Sequence, residues 1–230
     1  MNIDCSFDYA VPTSLCAIME KYGSDKGSAT ERGHNKHNYT TFYYNLFKDV
    51  KDDQLRIFEM GLGTNNTSIV SNMGAQGKPG ASLYGWREFF GAKALIFGAD
   101  IDRGILFQSD RIQTFYCDQT SPNSVVSLWL SPALEEGFDV ILDDGLHNFE
   151  ANKCLFEGSI HKLKPHGVYI IEDIFIKNLY LYVPKLQEWA TKYNLIFKVI
   201  NIPHERNKND NCLIVFQKSS EALAMYSDTT

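Results

Sequence analysis

No cysteine pair at CxxC spacing, no basic stretch and no apolar run near the roughly 20 residues of a membrane-crossing helix occur in this chain. Each absence excludes something. The five cysteines (Cys5, Cys16, Cys117, Cys154 and Cys212) are odd in number and far apart. That speaks against a disulfide framework or a cysteine-based zinc site, and for a reducing compartment. A formal net charge of -6 with no basic patch argues against a nucleic-acid backbone as partner. Residues Met1 to Asp8 carry neither a basic nor an apolar signal region, so a cytoplasmic location without membrane attachment is expected. What is present is an ordinary globular balance, 44% hydrophobic and 22% charged over 230 residues. That length holds one large domain or two small ones.

Helical spacing over 11–22 puts Leu15, Ile18, Met19 and Tyr22 on one face. Residues 23–37 read as a polar loop with Gly23, Gly27 and Gly33, and 38–49 as an aromatic-rich helix. From residue 55 the pattern changes. Short apolar runs at 55–59, 94–99, 112–117, 138–142, 167–171, 195–200 and 212–217 are mostly separated by amphipathic segments at 81–90, 121–130, 148–162 and 180–192. Strand–helix alternation of this kind predicts an α/β fold: a Rossmann-like, doubly wound, seven-stranded and mainly parallel sheet. The last two strands, joined by the polar stretch 203–211, are expected as an antiparallel pair at the sheet edge. The organisation expected is an N-terminal helical segment over 1–50, a ligand-binding domain over 51–218 and a tail over 219–230.

Such a sheet binds ligands at the carboxyl ends of its strands, and acidic residues stand there one after another. The first exit is Glu59-Met-Gly61-Leu-Gly63. Glycines at that spacing allow a tight turn and close backbone approach to NAD, to S-adenosylmethionine (SAM), or to nothing but a packing neighbour. The run is not GxGxxG, because Thr64, Asn65 and Asn66 follow Gly63. A carboxylate at Glu59 suits a cation-bearing ligand better than a pyrophosphate. The second exit, Gly98-Ala-Asp100-Ile-Asp102, offers an acceptor for two ribose hydroxyls, Asp100 first and Asp102 second. The third offers Asp118, either as acceptor for an adenine amino group or as a helix cap.

The fourth and fifth exits are the most informative. Asp143-Asp144-Gly-Leu-His147 and Glu172-Asp173 bring carboxylates and an imidazole to one sheet edge. Carboxylates at that density repel unless a cation sits among them. The bland alternatives are a capped turn with a surface histidine and a solvated strand end. His34 and His37 have HxxH spacing, but in a glycine-rich loop without clustered cysteines zinc is not expected there.

With Lys21-Tyr-Gly-Ser-Asp-Lys-Gly27, His37-Asn-Tyr39, Tyr43, Phe58–Gly63, Gly80–Leu83, Trp86, Asp143–His147 and Ile171–Asp173, the chain resembles the class I SAM-dependent methyltransferases. Within them it most resembles the metal-dependent, mycinamicin-type sugar O-methyltransferases of macrolide biosynthesis. The resemblance implies SAM as methyl donor and Mg²⁺, or Mn²⁺, as cofactor. It implies Asp144, Glu172 and Asp173 as metal ligands, His147 as general base, and a segment carrying Lys26 and Tyr39 that folds over the cofactor as a lid. The acceptor expected is a small polar molecule, a sugar or a surface-polysaccharide or secondary-metabolite precursor, with a phosphorylated or other anionic acceptor as alternative. A homo-oligomer is left open. Two departures stand out: a longer stretch between Gly63 and Gly80, and leucine at 146 where the family has serine. An NAD-dependent oxidoreductase and a non-catalytic SAM-binding protein are the competing readings.

Overall fold

Strands with both faces covered should be apolar without alternation, and β1 (Arg56–Met60) is buried at every position. The computed structural model describes residues 1, 3, 6–27 and 37–218. His34, most of the glycine-rich loop and the tail from 219 lie outside the described residues. Seven further strands follow: β2 Leu95–Asp100, β3 Gln108–Ser109, β4 Ile112–Tyr116, β5 Phe138–Asp143, β6 Leu163–Ile171, β7 Leu195–Asn201 and β8 Cys212–Lys218. They form one sheet in the order β3-β4-β2-β1-β5-β6-β8-β7. The pairs β1–β2, β1–β5, β2–β4 and β5–β6 are parallel, whereas β8 runs antiparallel to both β6 and β7.

The side-chain period of two sorts the core into two layers. Ile57, Val140, Val168 and Ile170 face one layer, with Leu15 and Met19 of α1 (Ser14–Tyr22), Phe42 and Tyr43 of α2 (Tyr39–Phe47) and Leu83 and Trp86 of α3 (Ala81–Phe89). Phe58, Ile141, Tyr169 and Ile171 face the other. There they meet Val125 of α4 (Pro122–Trp129), Phe156 of α5 (Phe149–Ser159) and Trp189 of α6 (Leu179–Tyr193). The N-terminal helices therefore share an apolar layer with the sheet. Rings dominate both layers: Trp86 meets Tyr43 edge-on at 5.5 Å and Phe156 stacks on Trp189 at 4.3 Å. Truncating either tryptophan would cost about 3–5 kcal/mol.

Two details differ from the sequence pattern. The eighth strand is the two-residue β3, antiparallel to β4 and too short for periodicity to reveal. Strand β6 starts at Leu163, four residues before the apolar run, across a register shift opposite Phe138 and Val140. Pro165 and the left-handed His166 (φ 62°) hide that start. Among the described residues four cysteines are free, and no helix is long and apolar enough to cross a membrane.

The order reverses between β1 and β5: the chain builds outward on one side through β2 and β4, then returns to lay β5 on the other. A crevice opens at such a point. All the candidate residues predicted after strands lie at that edge.

Candidate active site

A cavity of about 440 Å³ sits at the crevice, walled by Gly61, Gly63, Asp100, Asp118, Asp144, His147 and Asp173 among others. Residues 69–73 of the long stretch before α3 close part of its rim. Asp100 ends β2 and is 6% exposed. Its Oδ2 accepts the Leu62 N–H at 2.7 Å and its Oδ1 accepts the Asp102 N–H at 2.8 Å. Burial raises its carboxyl, and those N–H groups oppose the rise. Asp102 is turned to local work, accepting from the Thr64 hydroxyl and the Gly104 N–H. Asp118 accepts from the backbone and hydroxyl of Thr120.

Gly61 (φ 92°) has a packing reason to be glycine. A Cβ there would lie 1.9 Å from the carbonyl oxygen of Asp144. The Gly61 N–H bonds the Ala99 carbonyl at 2.8 Å, and the Asp144 N–H bonds the Met60 carbonyl at 2.9 Å. The turn after β1 thus carries the exit of β5.

The two adjacent aspartates have different tasks. Asp143 points inward, is fully buried, and accepts from Gln119 Nε2 at 2.5 Å and Asn152 Nδ2 at 3.0 Å. Burial pushes it up to about 6 against those two bonds. Gln119 also accepts the Leu146 N–H at 2.9 Å, so one amide fixes both ends of the turn. Asp144 faces the cavity.

Asp144, His147 and Asp173 each offer one ligand atom within 4.8 Å of the others'. His147 Nε2 lies 3.2 Å from Asp144 Oδ1, and its Nδ1 lies 3.6 Å from Asp173 Oδ2. Burial alone would lower the imidazole. The Asp144 hydrogen bond and the charges of both aspartates outweigh it and raise His147 to about 10. Burial raises Asp173, with His37 and His147 opposing. His147 (φ 54°) and Asp173 (φ 55°) both hold the left-handed backbone that side-chain-bearing residues rarely adopt. Such strain gathers at working sites.

Behind this trio lies a second, closed group. Lys26 is 2% exposed, with its Nζ 2.6 Å from Asp144 Oδ2, 2.5 Å from Glu172 Oε2 and 3.4 Å from Glu59 Oε1. Burial opposes its charge, but the three carboxylates together raise it well above an ordinary lysine. Burial alone would raise Asp144; Lys26 and His147 instead hold it well below the carboxylate range. Glu172 is pushed up by burial, with Lys26 opposing and the neighbouring carboxylates adding. Its Oε1 accepts from the Tyr43 hydroxyl. Glu59 is fully buried and accepts from Ser82 Oγ at 2.7 Å and Trp86 Nε1 at 2.6 Å. The Tyr39 hydroxyl lies 2.7 Å from Asp173 Oδ1 and 2.8 Å from the Asp210 carbonyl, beside the stacked ring of His37.

The seven residues expected at the cofactor therefore divide. Gly61, Gly63, Asp100 and Asp118 are on the cavity wall, while Glu59, Lys26 and Tyr39 sit behind it: Lys26 pairs with Asp144, Glu172 and Glu59, and Tyr39 bonds Asp173. The three expected metal ligands divide too: Asp144 and Asp173 face the cavity with His147, and both Glu172 oxygens are engaged by Tyr43 and Lys26. Sequence reasoning missed Gln119 and the bracing task of Asn152. An amide next to an acidic strand exit was the available signal.

The architecture is the Rossmann-like methyltransferase fold. The MycE methyltransferase of the mycinamycin pathway, solved in complex with Mg and S-adenosylhomocysteine (SAH), superposes with a TM-score of 0.61 at 21% identity over 90% of this chain and 54% of its own. An O-methyltransferase from Bacillus cereus, solved with SAH, superposes at 0.55 with 12% identity over 91% and 93%. Among curated proteins, demethylmacrocin O-methyltransferase of Streptomyces fradiae is 30% identical over 60% of this chain and 32% of its own length. The L-olivosyl-oleandolide 3-O-methyltransferase of Streptomyces antibioticus is 30% identical over 67% and 36%. The curated relatives are thus macrolide and sugar O-methyltransferases, and the chain spans about a third of their length. No protein-family model matches it.

Proposed function

We propose that the chain transfers a methyl group from SAM to a hydroxyl of a small polar acceptor, a sugar hydroxyl, with Mg²⁺ or Mn²⁺ at Asp144, Asp173 and Glu172. The observation that carries this is one cavity that runs from the exits of β1, β2 and β4 to the Asp144–His147–Asp173 trio at β5 and β6. The relatives supply the acceptor class: they are named for O-methylation of demethylmacrocin, of a rhamnosyl tetracenomycin and of an L-olivosyl-oleandolide.

The wall chemistry favours a cationic ligand over a dinucleotide. Asp100, Asp118, Asp144 and Asp173 all border the cavity, which suits a sulfonium and repels a pyrophosphate. Helix α3 begins only at Ala81, so no helix N-terminus follows the Gly61–Gly63 turn to receive phosphates. Asp100 accepts from ribose hydroxyls and Asp118 from the adenine amino group.

The donor set fits a divalent ion. Asp144 and Asp173 offer hard oxygens on the cavity wall, and the buried Glu172 shares Lys26 with Asp144. When bound, such an ion supplies a Lewis acid that lowers the pKa of an acceptor hydroxyl. His147, between the two aspartates, takes the hydroxyl proton on a ring nitrogen. It must be neutral to do so, and a cation held by Asp144 and Asp173 would offset the charges that keep its proton on. The His147–Asp144 and Tyr39–Asp173 hydrogen bonds hold both side chains at the cavity wall, and orientation of this kind supplies much of the rate in displacement reactions.

The experiment is calorimetric titration with SAM, SAH and NAD, each with Mg²⁺ and with chelator. Saturable SAM and SAH binding without NAD binding is expected, followed by metal-dependent methylation in a screen of sugar acceptors. NAD binding, or no SAM binding, would overturn the reading.

A further inference from the structure

A lysine enclosed by three carboxylates, two of which are assigned to a metal, raises the question of what that lysine does when the ion arrives. Lys26 is at 2.5 and 2.6 Å from Glu172 and Asp144, the separation of a full ion pair on each side. Its ammonium therefore stands where a cation shared by those two carboxylates would stand. Neither the cavity wall nor solvent is open to it at 2% exposure.

We propose that Lys26 is a tethered counter-ion that competes with the divalent ion for Asp144 and Glu172, and so sets the metal affinity of the site. The proposal rests on the reading of those residues as metal ligands. The fold provides for the exchange. Glu59 Oε1 lies 3.4 Å from Nζ, further in, and stays anchored to Ser82 and Trp86. An ammonium on a flexible four-carbon stem can retract to that third carboxylate without leaving the site unpaired. Glu172 keeps its Tyr43 bond on the other oxygen, so its position does not depend on Lys26 alone. Without an ion, Lys26 keeps the buried carboxylates from repelling one another. With one, it yields two of them. A unit charge a few ångströms from a divalent ion alters its affinity by more than about tenfold even with strong screening.

The test uses Mn²⁺ as probe, its binding followed by paramagnetic resonance and calorimetry on the whole chain, together with thermal unfolding with Mn²⁺ and with chelator. Wild type, Lys26→Met, Lys26→Gln and Asp173→Asn are compared. Both neutral Lys26 variants are expected to bind Mn²⁺ at least about tenfold more tightly than wild type. Their unfolding midpoints should also rise more on adding Mn²⁺ than that of wild type. Equal or weaker Mn²⁺ binding in the variants overturns the proposal and leaves the metal reading standing. Variants that stay unfolded with Mn²⁺ present also overturn it, because the ion then does not replace the ammonium. Absence of saturable Mn²⁺ binding in wild type and both Lys26 variants, or a site unaffected by Asp173→Asn, overturns the metal reading and the proposal with it.

Discussion

Replacing Gly61 by alanine would put a methyl carbon 1.9 Å from the Asp144 carbonyl oxygen and 2.6 Å from its carbonyl carbon. Carbon and oxygen without a conventional hydrogen bond approach to about 3.3 Å, so one strand exit must move by more than about 1 Å. The backbone adds to this, because φ is 92° and a side-chain-bearing residue there costs roughly 1–2 kcal/mol. Overpacking adds about 1–3 kcal/mol, for a total near 2–5 kcal/mol. In a chain of this size that lowers the unfolding midpoint by roughly 5–15 °C. The displaced group is Asp144, so metal binding should suffer at least as much as SAM binding, and methyl transfer should fall by about a hundredfold or more. Gly61→Ala would be assayed by thermal unfolding and by parallel Mn²⁺ and SAM titrations. A variant that lost SAM affinity with its midpoint and Mn²⁺ affinity intact would refute the reasoning. Gly61 would then serve cofactor approach alone.

Asp144→Ala should abolish metal-dependent transfer while SAM binding, followed by calorimetry, is largely kept; equal loss of both would count against the metal assignment. Asp100→Ala should weaken SAM by about tenfold or more, the loss of charge-assisted bonds to a ribose, and unchanged affinity would move that task to another group. Asp143 gives a pH signature. Its carboxyl rises from 3.8 to about 6 on folding, so the folded protein holds that proton more tightly than the unfolded chain. Stability should therefore fall as pH rises from about 4 to 6, by on the order of 3 kcal/mol from this group. Asp143→Asn should flatten that part of the denaturant-unfolding profile, and an unchanged slope would show that other groups produce it.

Much of the fold could be read because buried strands write themselves as apolar runs. The runs at 55–59, 94–99, 112–117, 138–142 and 212–217 each lie within a residue of the observed strand. The positions after them are where a doubly wound sheet gathers its ligands, so the places of Asp100, Asp118, Asp144, His147 and Asp173 on the cavity wall were legible from their positions after strands. What stayed hidden was direction. Asp143 and Asp144 are chemically identical, and only the pleat of β5 sends one to Gln119 and Asn152 and the other to the cavity. Lys26 stands in a polar, glycine-bearing stretch, where a lysine reads as solvated. Its burial depends on Glu59, Asp144 and Glu172, which are distant in the chain and no local pattern joins. The stretch 38–49 read as an aromatic-rich helix, and α2 (Tyr39–Phe47) is that helix, with Tyr39, Phe42, Tyr43 and Phe47 buried. Two of its hydroxyls also reach carboxylates: Tyr39 to Asp173 and Tyr43 to Glu172. Periodicity describes faces, and hydroxyl partners lie beyond its reach.

The left-handed backbone at His147 and Asp173 also bears on how this protein would respond to engineering. Glycine at either position would relieve the local conformation, by roughly 1 kcal/mol or more at each. A search for more heat-resistant variants that scored backbone conformation alone would therefore be drawn to these two positions, where the change removes the imidazole or the carboxylate on which the proposed chemistry depends, together with the His147–Asp144 and Tyr39–Asp173 hydrogen bonds.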